Sequence, residues 1–365
     1  MSSSLVVVSA ADREALLEEI ARIVRYLDRI PETPLIDVAY TCSLTKGAER
    51  LSLVVDNVAD LRARLVSAHG RLSSPTMKRV RDKSGTYYFE DHLLGEGKGK
   101  LAFMYPGVMS FYPDMLRDLA IDFSECRSAF DELEEAMAGS AEFSPSSFVF
   151  PPAAYYRHDA DIFRSGAYAQ ALVAVYSACV GMTRLLRSYG LNPDGVVGFA
   201  GGDLAAMMRS GAAGESRPRT ERVRAISEIY RIVDKAVNHA GLPESALVTV
   251  LLRNEEAQAK LGETLASFPE GKVQLALDLS PRQKTFAIEP GFADAATAAF
   301  TAAGIRSMLL ALDRPFNTPK CESLVPAILK FATNWMKEKP STAVYSCATA
   351  EPVPATLAAA RKDTA

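Results

Sequence analysis

The sequence predicts an α/β fold with more than one compact region, and three observations carry that expectation. Short runs of β-branched and aromatic residues alternate with stretches whose apolar residues recur at helical spacing. Residues 196–204, Val-Val-Gly-Phe-Ala-Gly-Gly-Asp-Leu, pass from an apolar strand through a glycine-rich turn into a helix. Residues 246–312 follow the order βαββαβ, the pattern of a split βαβ insert. The chain of 365 residues is too long for one ordinary core, and 48% apolar residues are ample to build two or three.

Taken in order, the residues justify each element. A strand over 5–8 precedes a helix over 11–30, where Leu16, Leu17, Ile20, Ile23, Val24 and Leu27 fall at helical spacing. Ser9, with Asp12 three residues on, reads as its cap, and Pro31 and Pro34 end it. Residues 36–44 and 50–55 read as strands. Residues 59–72 read as a second amphipathic helix, with Leu61, Leu65, Val66 and His69 near one face, and 87–89 as a short strand. The glycine-rich stretch 95–100 is like a phosphate loop only superficially: the Walker spacing fails and Leu101 replaces the metal-binding hydroxyl, so it reads as a linker.

A strand over 100–107 stops at Pro106-Gly107, and 123–137 is helical. An irregular piece with Pro145, Pro151 and Pro152 leads into a long apolar helix over 167–189, ended by Gly190. Asp194-Gly195 turns the chain into the strand before the glycine turn. Residues 211–218 read as a loop and 221–239 as an amphipathic helix carrying Arg224 and Arg231. Then come a strand at 247–252, a helix at 255–267, a hairpin of 273–278 with 285–288, a helix at 292–303 and a strand at 307–312, together a small ferredoxin-like insert. A helix over 322–337 and a late strand at 343–346 follow, and the alanine-rich tail from Ala348 shows no evident closing element.

Several function classes are disfavoured. Net charge is −3, and no lysine or arginine run is long enough to track a phosphate backbone, so nucleic acid is not an expected partner. The run Leu5-Val6-Val7-Val8 is shorter than a signal-peptide core and no window reads as a membrane span, which makes the cytoplasm the default compartment and leaves no expected membrane partner. Five cysteines are scattered without a CxxC pair, and four histidines without HxxH or HExxH spacing. Neither a metal nor a cofactor is expected.

The glycine turn carries the chemical question. A nucleophile elbow doubles back so tightly that it needs small residues two positions either side of its centre, and Gly198 and Gly202 supply them. The centre should be a serine; it is Ala200. The same nine residues also read as an ordinary strand–turn–helix junction. Alanine in a left-handed elbow costs about 1–2 kcal/mol, so the turn is expected to have relaxed.

The order of these features resembles the acyltransferase domain of type I polyketide synthases and related polyunsaturated fatty acid synthases, preceded by the ketosynthase-to-acyltransferase linker. Family members open with Phe-Pro-Gly-Gln-Gly-x-Gln-Tyr, which Tyr105-Pro106-Gly107-Val108-Met109-Ser110-Phe111-Tyr112 resembles, and Phe130-Asp131-Glu132 follows in a similar acidic helix. Residues 171–198 are similar to the lead-in to the family's Gly-His-Ser-x-Gly elbow, and Asp313-Arg314-Pro315-Phe316-Asn317-Thr318-Pro319 to the segment with its catalytic histidine. The resemblance implies a linker domain over 1–97, an α/β-hydrolase-like large subdomain over 98–245 and 313–365 that lacks its closing strand and helix, and a ferredoxin-like small subdomain over 246–312. The chain would then be a fragment of a larger polypeptide or one side of a split one, with a sheet edge open for a partner.

The same motifs argue against the family's chemistry. Acyl transfer needs a nucleophile, a base and oxyanion donors. By the resemblance, the serine position is Ala200, the elbow histidine is Phe199, the catalytic histidine is Asn317 and the oxyanion glutamine is Val108, while the backbone N–H of Gly201 remains. The arginine that would hold a malonyl carboxylate falls near Tyr230 or Arg231. Loss of serine or histidine alone costs on the order of a million-fold in the best-studied hydrolase triad. The expectation is a pseudoenzyme that serves as a structural or docking element of a polyketide or fatty acid synthase, with ketosynthase and acyl carrier protein domains as partners. Lys78, Arg79, Arg81 and Lys83, or residues 217–224, offer basic patches for a carrier protein or simply solvated faces. Two alternatives stay open: an enzyme with a displaced nucleophile such as Cys321, with Ser110 and Tyr230 as further polar candidates, and a sensor that binds acyl-CoA without turnover.

Overall fold

The computed structural model describes residues 3–91, 94, 99–138, 144–151, 167–213, 217–239, 242–356 and 358–359. Two compact units, Met1–Lys100 and Leu101–Ala365, divide the chain. In the first, β1 (Ser4–Ala10), β2 (Glu49–Val55), β3 (Arg79–Arg81) and β4 (Thr86–Phe89) form an antiparallel sheet in the order β1-β2-β4-β3. Helices α1 (Arg13–Arg29) and α3 (Val58–Leu72) bury one stripe each, Leu16, Ile20, Ile23 and Leu27 on the first and Leu61, Leu65, Ala68 and Leu72 on the second. The α1 cap is Asp12, whose carboxylate accepts from the Ala15 N–H at 2.9 Å; Ser9, expected in that role, is buried within β1.

Residues 36–44, expected as a strand, are instead helix α2 (Leu35–Ser43). Ile36, Val38, Tyr40 and Cys42 alternate as a strand would, but Ile36 and Tyr40 are exposed and the buried set is Val38, Ala39 and Cys42, which is helical spacing. Pro34, which cannot continue a helix, begins this one from its cap position. The basic cluster after Lys78 contains β3, which the sequence reading did not anticipate: Val80 is buried between exposed Arg79 and Arg81. Residues 95–98, most of the stretch read as a linker, lie outside the described residues.

The second unit has two sheets. Parallel β5 (Ala102–Tyr105), β6 (Gly195–Gly198) and β11 (Ala343–Tyr345) pair in the order β11-β6-β5. Helices α4 (Arg117–Asp122), α5 (Ser124–Ala136), α6 (Pro145–Val149), α7 (Tyr168–Ser188), α8 (Gly202–Met207) and α9 (Arg219–Asp234) belong with this sheet's core. Most of the irregular piece, 152–166, lies outside the described residues. Helix α7 corrects the expectation that no window is apolar enough to cross a membrane: it has 21 residues and mean hydropathy 1.4 over its most apolar window, of which 67% is buried. A helix apolar all round is what a central core position demands, since it is covered on several sides by protein. Its neighbours include α5, α8 and α9.

After α8 comes a π-turn, Met208–Ala212, inside which Gly211, with φ of 97°, breaks the helical path where the loop was expected to begin; residues 214–216 lie outside the described residues. A second π-turn, Lys235–His239, extends α9. The antiparallel sheet β10-β7-β9-β8 comprises β7 (Ala246–Leu251), β8 (Val273–Ser280), β9 (Gln283–Ile288) and β10 (Arg306–Leu309). Helices α10 (Glu255–Ala266) and α11 (Ala293–Ala302) cover the face with Val248, Val250, Phe286 and Ile288. The helix expected from 322 opens as a 3-10 turn, Pro319–Leu324, and α12 (Val325–Trp335) begins only there, because Pro326 has no N–H to donate and fits only a first turn.

Candidate functional site

The elbow is built by backbone crowding. β6 ends at Gly198, the Phe199 N–H donates to Tyr105 O at 2.9 Å, and the amides of Gly202 and Asp203 donate back to the carbonyls of Phe199 and Ala200, each at 2.9 Å, turning the chain into α8. A Cβ on Gly198 would lie 2.3 Å from the Gly202 carbonyl carbon, and one on Gly202 would lie 2.2 Å from Tyr105 O, so side chains cannot enter either place. Ala200, at the apex, has φ of 50°. The turn has therefore not relaxed: the packed surroundings still hold the left-handed conformation that the alanine side chain disfavours.

Asn317 has the same unusual sign, with φ of 58°, a conformation asparagine tolerates better than most residues. Its turn is fixed on both sides. Thr318 Oγ1 donates to Pro315 O at 2.7 Å, and Phe316 stacks on Tyr168 with ring centroids 4.3 Å apart.

Ala200 and Asn317 line one cavity of about 690 Å³, together with Val108 and Phe199 from the large-sheet side. Its opposite wall is the face of the small sheet turned away from α10 and α11, including Leu247, Thr249, Ala276 and Thr285, with Leu310 beside it. The sequence reading missed this wall. The available signal was that β7 is apolar at both phases of its alternation, Leu247 as well as Val248 and Val250, so that a second face had to be covered by something. None of the described lining residues carries a formal charge at neutral pH, and none of them is a histidine. Two of its hydroxyls, those of Thr249 and Thr285, bond to each other at 2.8 Å, and Ser110 Oγ donates to Gly107 O at 2.8 Å.

This arrangement of an elbow sheet and an inserted antiparallel sheet has known counterparts. The acyltransferase domain of ZmaA superposes with a TM-score of 0.70 at 14% identity, covering 100% of this chain and 77% of that one. The acyltransferase domain from module 8 of the salinomycin polyketide synthase gives 0.68 at 18% identity, covering 99% and 79%. The chain has the fold of a polyketide synthase acyltransferase domain. A family described as CurL-like, PKS C-terminal, matches residues 4–65. The polyketide synthase GfsA of Streptomyces halstedii is 30% identical over 209 residues, 56% of this chain and 2% of that protein. The erythronolide synthase of Saccharopolyspora erythraea is 23% identical over 351 residues, 95% of this chain and 10% of that protein. The chain thus spans a tenth or less of the length of these curated relatives.

Other positions singled out for their acyltransferase resemblance lie apart from the cavity wall. Gly201 is outside the lining residues, packed so that a Cβ there would meet Leu172 Cδ1 at 2.4 Å; its N–H has no backbone partner among the described residues. Cys321 also lies outside the lining. Its thiol donates to Pro315 O at 3.2 Å, and burial pushes its pKa up, the opposite of what a thiolate nucleophile requires. Tyr230 packs against the large-sheet core, and Arg231 Nε donates to Ser227 O at 3.1 Å on an exposed face, so neither lines the acyltransferase-like cleft.

Three of the four arginines of 217–224 are paired within the fold, and the fourth, Arg224, is exposed. Arg217 pairs with Glu221 at 2.9 Å and Arg219 with Glu135 at 2.8 Å. Arg222 meets the buried Glu132 at 2.5 Å, and Arg184 reaches the same carboxylate at 3.0 Å. Burial alone would raise the Glu132 pKa, but hydrogen bonds from Arg222 and Arg184, with their charges, outweigh it and hold the carboxyl below its ordinary value.

Proposed function

We propose that this chain is an acyltransferase-like domain without acyl-transfer activity, acting as a structural or docking element of a polyketide or fatty acid synthase. In this reading residues 1–97 are the ketosynthase-to-acyltransferase linker domain, 98–245 with 313–365 the large subdomain and 246–312 the small one. Ketosynthase and acyl carrier protein domains are its partners.

The observation that carries the reading is the pair of left-handed positions facing one cavity, Ala200 and Asn317, filled by a methyl group and an amide. A methyl group cannot attack a thioester, and a carboxamide cannot take a proton at neutral pH. The displaced-nucleophile alternative has less support, since Cys321 lies off the cavity with a raised pKa.

Intact-protein mass spectrometry after incubation with malonyl-, methylmalonyl- and acetyl-CoA, with and without a carrier protein, tests the proposal. The expected result is an unchanged protein mass and an unloaded carrier. A stoichiometric acyl adduct, on Cys321 or elsewhere, overturns it.

A further inference from the structure

The two edges of the parallel sheet are treated differently. Beside β11 the chain covers its own edge: the Val353 N–H donates to Val344 O at 2.8 Å, the Ser346 N–H donates to Glu351 O at 3.0 Å, and Pro352, bridged to Tyr345, has no N–H to offer. Beside β5 no such cover is found among the described residues. Leu101 O and Tyr105 O accept from the amides of Asp194 and Phe199 on the β6 side, so by alternation the N–H and C=O groups of Ala102 and Met104 point outward, where they have no backbone partner among the described residues. Met104 itself is 80% exposed.

Along that open edge runs a groove of about 580 Å³, walled by α7 rather than by the small sheet. Val175, Ala178, Met182 and Leu186 of α7 line it with Tyr112 and Leu191, and no described lining residue carries a formal charge. The Tyr105 hydroxyl lies 3.0 Å from Thr183 Oγ1, which puts α7 against the face of β5 that bears Phe103 and Tyr105. We infer that β5 receives an added strand from another polypeptide, an extended and uncharged segment whose main chain pairs with Ala102 and Met104 while alternate apolar side chains drop into the groove against α7. An unpaired edge with an apolar trough along one side has the shape and the hydrogen-bonding needs of a strand. A second copy of β5 fits less well: two-fold pairing would set both copies of α7 on the same face of the joined sheet, in competition for one groove. The inference holds whether or not the elbow is reactive.

A fluorescent peptide of about six residues, alternating valine and threonine between lysine ends, tests this on the full chain by anisotropy and amide hydrogen exchange. Binding with protection of the Ala102 and Met104 amides is expected, and no binding by the same peptide with every backbone amide methylated, which keeps the side chains and loses the main-chain donors. Met104→Pro removes an outward N–H that no described backbone bond uses, a change an edge strand tolerates; it is expected to weaken the peptide about tenfold or more while the unfolding temperature holds. Leu191→Glu, a second variant, leaves the edge intact and puts a charge at the groove, and is expected to weaken the peptide by a similar factor. Equal binding of the methylated peptide, no binding of either peptide, or binding indifferent to both variants overturns the inference. So does a dimer of the chain alone that Met104→Pro dissolves, which gives the edge to a second copy.

Discussion

Two buried regions of the second unit treat polar chemistry in opposite ways. Around Glu132, on α5, the chain brings in Arg184 from α7 and Arg222 from α9, so one carboxylate ties three helices and every partner is charged. In the cleft between the two sheets, formal charge is absent from the described lining and two of its hydroxyls, those of Thr249 and Thr285, bond to each other. The contrast teaches that ionic groups here hold helices together, while the place where a transferase would use them is an apolar pocket. Charge has been kept where its removal would damage the fold.

The largest expected effect follows from breaking the charged side of that comparison. Glu132→Ala leaves two partly buried guanidinium groups without their carboxylate, and such removal costs about 3–5 kcal/mol. Urea unfolding should show that loss, whereas Glu135→Ala, which breaks only the exposed pair with Arg219, should cost about 1 kcal/mol or less. Similar losses for the two variants would remove the distinction.

A second expectation concerns acid. The Glu132 carboxyl is lowered on folding from its ordinary value of 4.5, so its contribution is fully present above that pH and is lost as the pH falls through the lower folded value. Thermal unfolding between pH 5 and pH 2, ranges set by the ordinary carboxylate scale of about 4, should show a steeper acid decline for the native chain than for Glu132→Gln. Superimposed profiles would assign the decline to other carboxylates.

The smallest effect belongs to the cleft. Ala200→Gly relieves a left-handed alanine worth about 1–2 kcal/mol but adds about 0.4–1 kcal/mol of unfolded-chain entropy, leaving a net gain of about 0–1.6 kcal/mol. A loss of stability on that substitution would show that the alanine methyl packs better than its backbone suffers.

Much of this was legible in the residues, for reasons that differ by region. Gly198 and Gly202 announced the elbow because no other residue fits their backbone contacts, and the βαββαβ order announced the small sheet because its hairpin and helices are local in sequence. Helix α2 was not legible, since Ile36, Val38, Tyr40 and Cys42 satisfy a strand's alternation and only packing against β1 selects Val38, Ala39 and Cys42 instead. The wall opposite Ala200 was hidden for a similar reason. Leu247 and Ala276 come from two separate strands and Leu310 from just after a third, and which face of a sheet meets a distant loop is settled by tertiary packing.

Helix α7 has a consequence for how the chain is made. Two of the helices against it, α8 and α9, follow it in sequence, and 46 residues separate Ser188 from Asp234 at the end of α9. At ribosomal rates of about 5–20 residues per second, that interval lasts roughly 2–9 seconds. For that time a 21-residue apolar helix stands on the nascent chain with only its earlier partners, chiefly α5, available to shield it, and it offers the same surface that targeting factors and holdase chaperones bind. The order of synthesis thus makes the central helix the segment most dependent on what meets it at the ribosome exit.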